Sequence, residues 1–363
     1  MKIAMLGLKG IPYPQGIENF TEEIGWRLAK RGHQVLVYSR GYVDVGEEYR
    51  GMRIVKLPSF RSKYLETLSH TFLSALDVLR REVDIVQFNA LGPVTLAWIP
   101  KLKRIKTVSY VHGLDWKRAK WGWLSRKYLQ LGEWASIFLP DETIVVSRIL
   151  KNYYERKYKR RVHYIPTGVN SYSSPSPDKI KKFGLEKDNY LLFLGRLVPE
   201  KGCHYLIQAF NQIKTKMKLV IAGGESHSDK YVRSLKKTAG KRVIFVGYVK
   251  EELLEELYGN CYLYIHPSDV EGLAHSLLQA MSFGCCIVCS DIPENITVVS
   301  DYAYSFRTGD SGNLREVLED LINHPAKVRS RRGMAIDYVR REFNWDSIVD
   351  RLEEVYGDML SEE

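Results

Sequence analysis

The sequence predicts an α/β protein built as two Rossmann-like, doubly wound domains that face each other across a cleft, with a C-terminal segment added. Three observations carry this. A chain of 363 residues is too long for one ordinary core. Short apolar runs alternate with helix-period segments, the pattern of parallel strands joined by helical crossovers. That pattern restarts near residue 190, after a stretch from Pro166 to Pro177 dominated by Pro, Gly, Ser and Asn. The expected boundaries are 1–168, 169–344 and 345–363.

The first domain opens on a buried strand, Lys2–Leu6, followed by a Gly/Pro-rich loop, Gly7–Gly16. Helix-period residues run from Ile17 to Arg31, and His33–Ser39 reads as the second strand. Asp84–Phe88, Thr107–His112 and Glu142–Val146 are further strand-like runs. In the second domain, Tyr190–Gly195 leads into Arg196-Leu197-Val198-Pro199-Glu200-Lys201-Gly202, with a helix from about Cys203. Lys218–Ala222 ends in Gly223-Gly224, and Arg242–Val246 ends in Gly247. Cys261–His266 and Cys286–Cys289 are two more buried runs. Trp345–Leu360 reads as an acidic amphipathic helix whose partner the pattern alone does not give. Open α/β sheets bind ligands beyond the carboxyl ends of their strands. The loops holding Gly10, Gly16, Gly195, Gly223 and Gly247 are therefore candidate binding positions.

Composition narrows the class. Apolar residues are 45% and charged residues 27% of the chain, as in a folded soluble protein. No run approaches the about 20 apolar residues that span a bilayer. The opening apolar run is too soon broken, by Lys9 and Pro12, to be a signal peptide, so the cytoplasm is the expected compartment. The five cysteines, an odd number, argue against a secreted disulfide framework. Cys285, Cys286 and Cys289 read as small buried hydrophobes rather than metal ligands, because adjacent strand residues face opposite ways. The formal charge of +11 is uneven. Residues 1–170 hold 29 Lys and Arg against 15 Asp and Glu, an excess of +14, while the remainder is at −3. A basic half suggests an anionic partner, with solvated surface charge as the plainer alternative.

Two segments carry chemistry. Arg196 and Lys201 place two cations five positions apart between a strand and a helix. A departing diphosphate needs its growing charge neutralised by a metal or by fixed cations and helix N-termini. No Asp-x-Asp clamp is present, so no metal is expected. Standing alone, the pair fits ordinary loop cations better. The segment from Pro267 to Met281 follows a strand and opens a helix, and Glu271-Gly272 near its start offers backbone donors and an acceptor to sugar hydroxyls. Glu271 alone also fits a plain N-terminal helix charge.

The combination resembles a known family. Pro267-Ser268-x-x-Glu271-Gly272, then Ala280-Met281-x-x-Gly284 and Ser290-Asp291-Ile292-Pro293-Glu294, is similar to the donor motif of retaining glycosyltransferase family 4, which has the GT-B fold. So is Gly195-Arg196-Leu197-x-x-Glu200-Lys201-Gly202. Gly7-Leu8-Lys9-Gly10-Ile11-Pro12 with Gly16-x-Glu18, and the stretch from His112 to Trp121, resemble a rhamnosyltransferase-like bacterial subgroup. Pro166-Thr167-Gly168-Val169-Asn170 resembles the family's interdomain segment, and Phe343-Asn344-Trp345 the start of a helix returning to the first domain.

The resemblance implies a donor that is a nucleotide-diphosphate sugar and no cofactor. Arg196 and Lys201 would hold the diphosphate, Glu271 the sugar hydroxyls, and His112 would sit by the reacting carbon. Gly16 would allow close approach to the phosphates. Gly10, Gly195, Gly223, Gly247, Gly272, Leu273, Ala274, His275 and Gln279 complete the expected donor-binding set. Two departures stand out. The family's second glutamate, eight residues after the first, is Gln279, which loses charge-assisted strength. A pair of histidines after the third strand is replaced by Gln87 and Asn89. The family's mechanism is a same-face displacement in which the departing phosphate takes the acceptor proton.

Finally, Lys101–Lys106 and Trp116–Trp134 mix cations with aromatics, as at an anionic membrane surface, and Tyr153–Arg161 extends the theme. A helix whose aromatics fill the core fits the same pattern. On the membrane reading the acceptor is a glycan or polyprenyl-diphosphate-linked sugar and the protein is peripheral on the inner face. The alternatives are a degenerate sugar-nucleotide-binding subunit, an epimerase or phosphorylase on the same scaffold, and a nucleic-acid binder. The last lacks any recognisable reading module.

Overall fold

Near-continuous apolar runs such as Ile3–Leu6 and Leu191–Phe193 suit strands covered on both faces, and these residues are at most 2% exposed. The computed structural model describes all residues except 14–15, 63–64, 118–120, 173–174, 225–228, 250 and 362–363. The chain forms two units, Met1–Gly168 with Trp345–Glu363, and Val169–Asn344.

Among the described residues the first unit is built on eight strands: β1 (Lys2–Leu6), β2 (Gln34–Arg40), β3 (Glu48–Tyr49), β4 (Met52–Leu57), β5 (Ile85–Asn89), β6 (Lys106–Val111), β7 (Glu142–Val145) and β8 (His163–Tyr164). They lie in the order β3-β4-β2-β1-β5-β6-β7-β8. All pairs are parallel except β3–β4. Helices α1 (Gly16–Lys30), α2 (Glu66–Val78), α3 (Leu91–Val94), α4 (Trp98–Lys101), α5 (Trp123–Phe138) and α6 (Arg148–Tyr158) connect them. One core cluster joins Leu6, Tyr38 and Phe88 of the strands to Ala75 of α2, Val94 of α3, Ile99 of α4 and Ala135 of α5.

Among its described residues the second unit holds six parallel strands, β9 (Tyr190–Leu194), β10 (Lys218–Ala222), β11 (Val243–Gly247), β12 (Leu263–His266), β13 (Ile287–Ser290) and β14 (Tyr304–Phe306), in the order β11-β10-β9-β12-β13-β14. Its helices are α7 (Cys203–Gln212), α8 (Asp229–Thr238), α9 (Glu251–Asn260), α10 (His275–Ser282), α11 (Pro293–Val299), α12 (Ser311–Asn323), α13 (Pro325–Arg331) and α14 (Ile336–Glu342). Cys285 and Cys289 belong to the core on one face of this sheet and Cys286 to the core on the other. All five cysteines are buried and free. Their expected role as small hydrophobes agrees with this.

In each sheet the winding direction reverses beside the first strand, between β1 and β5 and between β9 and β12. These are the switch points at which such folds bind ligands.

The last helix, α15 (Trp345–Ser361), packs against α1. Its acidic stripe meets the basic end of that helix: Arg31 bonds Asp350 at 2.6 Å and also pairs with Glu353, whose other oxygen lies 2.6 Å from His33 Nε2. The Trp345 ring lies where a Cβ on Gly168 would stand, 2.4 Å away, so this turn requires glycine. Among the described residues no helix is long and apolar enough to cross a membrane.

Candidate donor site

The loops after β9 and β12 flank the switch point of the second sheet and are locked together through backbone. Gly202 has φ +67°, and a Cβ there would stand 1.9 Å from the Pro267 carbonyl oxygen. The Asp269 N–H donates to the Glu200 carbonyl at 2.9 Å. Glycine at 202 thus lets the loop carrying Lys201 lie directly on the loop carrying Glu271.

The strand ends beside it are stitched the same way. The Gly195 N–H donates to the Ala222 carbonyl at 3.0 Å and the Gly223 N–H to the Gly247 carbonyl at 2.8 Å. Gly223, at φ +149°, would put a Cβ 1.8 Å from the Gly195 oxygen. Gly195, Gly223 and Gly247 therefore lie together at the carboxyl ends of β9, β10 and β11.

Lys201 Nζ donates to Glu271 Oε1 at 2.5 Å, and His266 Nε2 lies 2.9 Å from the same oxygen. The carboxylate only accepts, so His266 carries its proton on Nε2. Its Nδ1 then accepts from the Tyr264 hydroxyl, 3.3 Å away, and Ser268 Oγ lies 3.2 Å from Nε2. Ser268 is itself held through its carbonyl, which accepts from Ser290 Oγ at 2.5 Å. Burial works to raise the Glu271 carboxyl, but Lys201 and then His266 outweigh it and hold it well below the carboxylate range. Burial lowers the His266 imidazole against the opposing pull of Glu271, so the ring is neutral at pH 7.

Gly272, Leu273 and Ala274 form the approach to α10, which begins at His275, three residues later than a helix opening at Gly272 would. Ala274 caps it without a side-chain bond. Gln279 is 9% exposed on the next turn, on the same helix face as His275. Arg196 is half-buried and follows Gly195 in the loop shared with Lys201.

On the first unit, Gly10 (φ +141°) would place a Cβ 2.6 Å from Ser39 Oγ, so the loop after β1 needs glycine to lie against β2. Nothing stands within 4 Å of the corresponding position on Gly16. Glu18 Oε1 accepts the Lys9 N–H at 3.0 Å and fixes this loop on α1. His112 follows β6 directly, its ring stacked on Tyr110 at 5.0 Å and edge-on to Phe20 at 4.9 Å. Gln87 and Asn89 are buried and structural. The Gln87 amide donates to Asn89 Oδ1 at 2.8 Å, Asn89 donates to the Leu6 carbonyl at 3.1 Å, and the Tyr356 hydroxyl donates to Gln87 Oε1.

Ser268 and Gly202 lie in the two sequence motifs but carry no individual role there, and His266 lies outside both. A histidine closing an apolar strand five residues before Glu271 was the available signal for the last.

Comparison with known proteins agrees with this architecture. Residues 14–171 match the family Glycosyltransferase Family 4, and residues 176–340 match Glycosyl transferases group 1. The chain is 24% identical to the phosphatidylinositol N-acetylglucosaminyltransferase gpi3 subunit of Schizosaccharomyces pombe, over 97% of this chain and 79% of that one. It is 27% identical to the lipopolysaccharide 1,2-N-acetylglucosaminetransferase of Salmonella typhimurium, over 60% of this chain and 62% of that one. Anabaena HepE, solved in complex with UDP and glucose, superposes with a TM-score of 0.84 at 18% identity, covering 99% of this chain and all of that one. With two parallel α/β units and family matches reaching from residue 14 to residue 340, the chain is a family 4-like glycosyltransferase of the GT-B fold.

Proposed function

We propose that the protein transfers a hexose-type sugar from a nucleotide-diphosphate donor, with retention of anomeric configuration and no divalent metal, to a lipid-linked glycan acceptor. The pathway class is surface polysaccharide synthesis, and the place is the cytoplasmic face of the membrane. The observation that carries the donor half is the joining of Lys201, Glu271 and His266 at the switch point of the second sheet. An ammonium has three N–H donors, so Lys201 can keep Glu271 and still reach a phosphate oxygen. At about 4 Å a cation near a protein surface is worth roughly 4 kcal/mol to an anion. Arg196, in the same loop, would supply the second charge. Glu271, kept ionised, would accept hydrogen bonds from sugar hydroxyls, with His266 and Lys201 fixing its orientation. His112 on the first unit is assigned a part in turnover.

HepE was solved with UDP and glucose bound, and the Salmonella relative is named for lipopolysaccharide. Both support a nucleotide-sugar donor and a glycan acceptor for this chain. Among the described residues no carboxylate presents itself as a covalent nucleophile, which favours a same-face displacement in which the departing phosphate oxygen takes the acceptor proton.

The test is mass-resolved donor turnover against a panel of nucleotide sugars in EDTA, with the product anomer read by NMR. Turnover with retention is expected. Gln279 favours one rival, a degenerate donor-binding subunit. A chain that binds nucleotide but never hydrolyses or transfers its sugar supports that rival.

A further inference from the structure

Sixteen large apolar side chains are exposed among the described residues, and they are unevenly placed. Five stand on α5, two on α4 and the residue after it, and three on α2. These helices share one core cluster, α2 packing on α3 and α4 and α3 on α5, so they cover the same face of the first sheet. The exposures are high for such residues: Trp98 50%, Leu102 69%, Trp123 71%, Leu124 75% and Trp134 46%. On α5, Leu124, Leu131 and Phe138 recur at seven-residue spacing with Trp134 between, an apolar stripe turned outward rather than into the core.

Charge chooses the partner. Lys103, Arg104, Arg126 and Lys127 are exposed among these aromatics. The carboxylates of the three helices are engaged: Glu66 with Arg40, Asp77 with Arg81, and Glu133 buried beneath Trp116, Tyr153, Lys157 and Tyr158. Arg160 lies over the Phe138 ring at 4.6 Å. A second copy of the chain would bring like charges together on this face. An anionic bilayer surface supplies the opposite charge, and the headgroup region suits Trp beside Lys and Arg.

We infer that the outer face of α2, α4 and α5 docks on an anionic lipid surface. This deepens the membrane part of the proposed function and rests on it. It also corrects the sequence expectation in part. Trp116 and Tyr128 turn inward, to Glu133 at 2.7 Å and the Gly92 carbonyl at 2.9 Å, and the Tyr153–Arg161 run spends its Tyr153 and Tyr158 hydroxyls on Glu133. The Trp116–Glu133 bond ties Trp116 to the inward side of α5, opposite the docking face.

The test is flotation of the full chain with vesicles of phosphatidylcholine alone and of phosphatidylcholine mixed with phosphatidylglycerol. Donor turnover without lipid is measured in parallel. The chain is expected to float with the phosphatidylglycerol vesicles only and to be released by salt. Lys103→Ser and Lys127→Ser should each weaken binding about fivefold. Trp123→Ser with Leu124→Ser should abolish flotation, with thermal unfolding and lipid-free turnover unchanged. No flotation with either vesicle overturns both this surface and the membrane reading. Flotation of the double variant like the parent overturns this surface alone, as does a parent chain that self-associates through it. Failure of the donor reading would instead appear as absent turnover in the parent, whatever the vesicles show.

Discussion

Lys201 Nζ and Glu271 Oε1 lie 2.5 Å apart, contributed by two loops 70 residues apart in sequence, with the two side chains only 16% and 8% exposed. A pair so placed is coupled: removing one partner leaves the other buried without compensation. Lys201→Met alone should destabilise the second unit by about 3 kcal/mol, and Glu271→Gln by less, because His266 Nε2–H can still donate to the amide oxygen. The double variant should cost less than the sum of the two. Urea unfolding of the three variants measures this, and strict additivity would deny the coupling.

Glu271 also predicts an acid limb. Its carboxyl lies well below its ordinary value of 4.5, so the folded state binds fewer protons than the unfolded chain. The stabilisation is fully present above pH 4.5 and is lost as pH falls below it. Glu271→Gln should flatten stability across that range, as read from denaturation midpoints between pH 5 and pH 3.

His70 predicts a second limb, in the first unit. It is 1% exposed, and burial, aided by Arg40, pushes its imidazole from 6.5 to about 4. Stability should be intact above pH 6.5 and should fall as pH drops towards 4, by about 2 kcal/mol at pH 5. His70→Leu should remove this slope. An unchanged slope would show that His70 takes up its proton without unfolding.

Two glycines separate structural need from ligand contact. Gly223→Ala forces a Cβ against the Gly195 oxygen and should unfold or severely destabilise the second unit, by about 3 kcal/mol or more. Gly16→Ala meets open space and should leave stability within about 0.5 kcal/mol. A fall in turnover for Gly16→Ala at unchanged Tm would then locate the loss in ligand approach.

Ala90 closes β5 at φ +80° and ψ 161°, a region reserved for glycine. Ala90→Gly should raise stability by about 1 kcal/mol, seen as an upward shift of the thermal midpoint. A drop would mean that the Ala90 methyl packs well enough to offset the strain.

The sequence made the long buried strands legible because period and apolarity agree there: Lys2–Leu6 and Lys218–Ala222 have the expected bounds. Others begin one or two residues late, as at Gln34 and Leu263, since a flanking apolar or aromatic residue carries no mark of where pairing starts. The short β3, β8 and β14 escaped notice because two or three residues show no period, and the six-residue β4 because its burial does not alternate cleanly. At the site, Lys201 and Glu271 were legible as strand-end residues, but their bond was not. It depends on Gly202 admitting the Pro267 carbonyl, a contact between loops that no local pattern encodes. The structural use of Gln87 and Asn89 was hidden for the same reason, as their partner Tyr356 comes from the far end of the chain.

On the proposed function, fixed cations of the second unit hold a nucleotide diphosphate without a divalent ion. Calorimetric titration of UDP, GDP, ADP and dTDP into the full chain in EDTA tests it most directly. At least one should bind, with affinity about 10- to 100-fold weaker in Arg196→Ala and in Lys201→Ala. Equal affinity in both variants, or binding that arises only when Mg²⁺ is added, would contradict it.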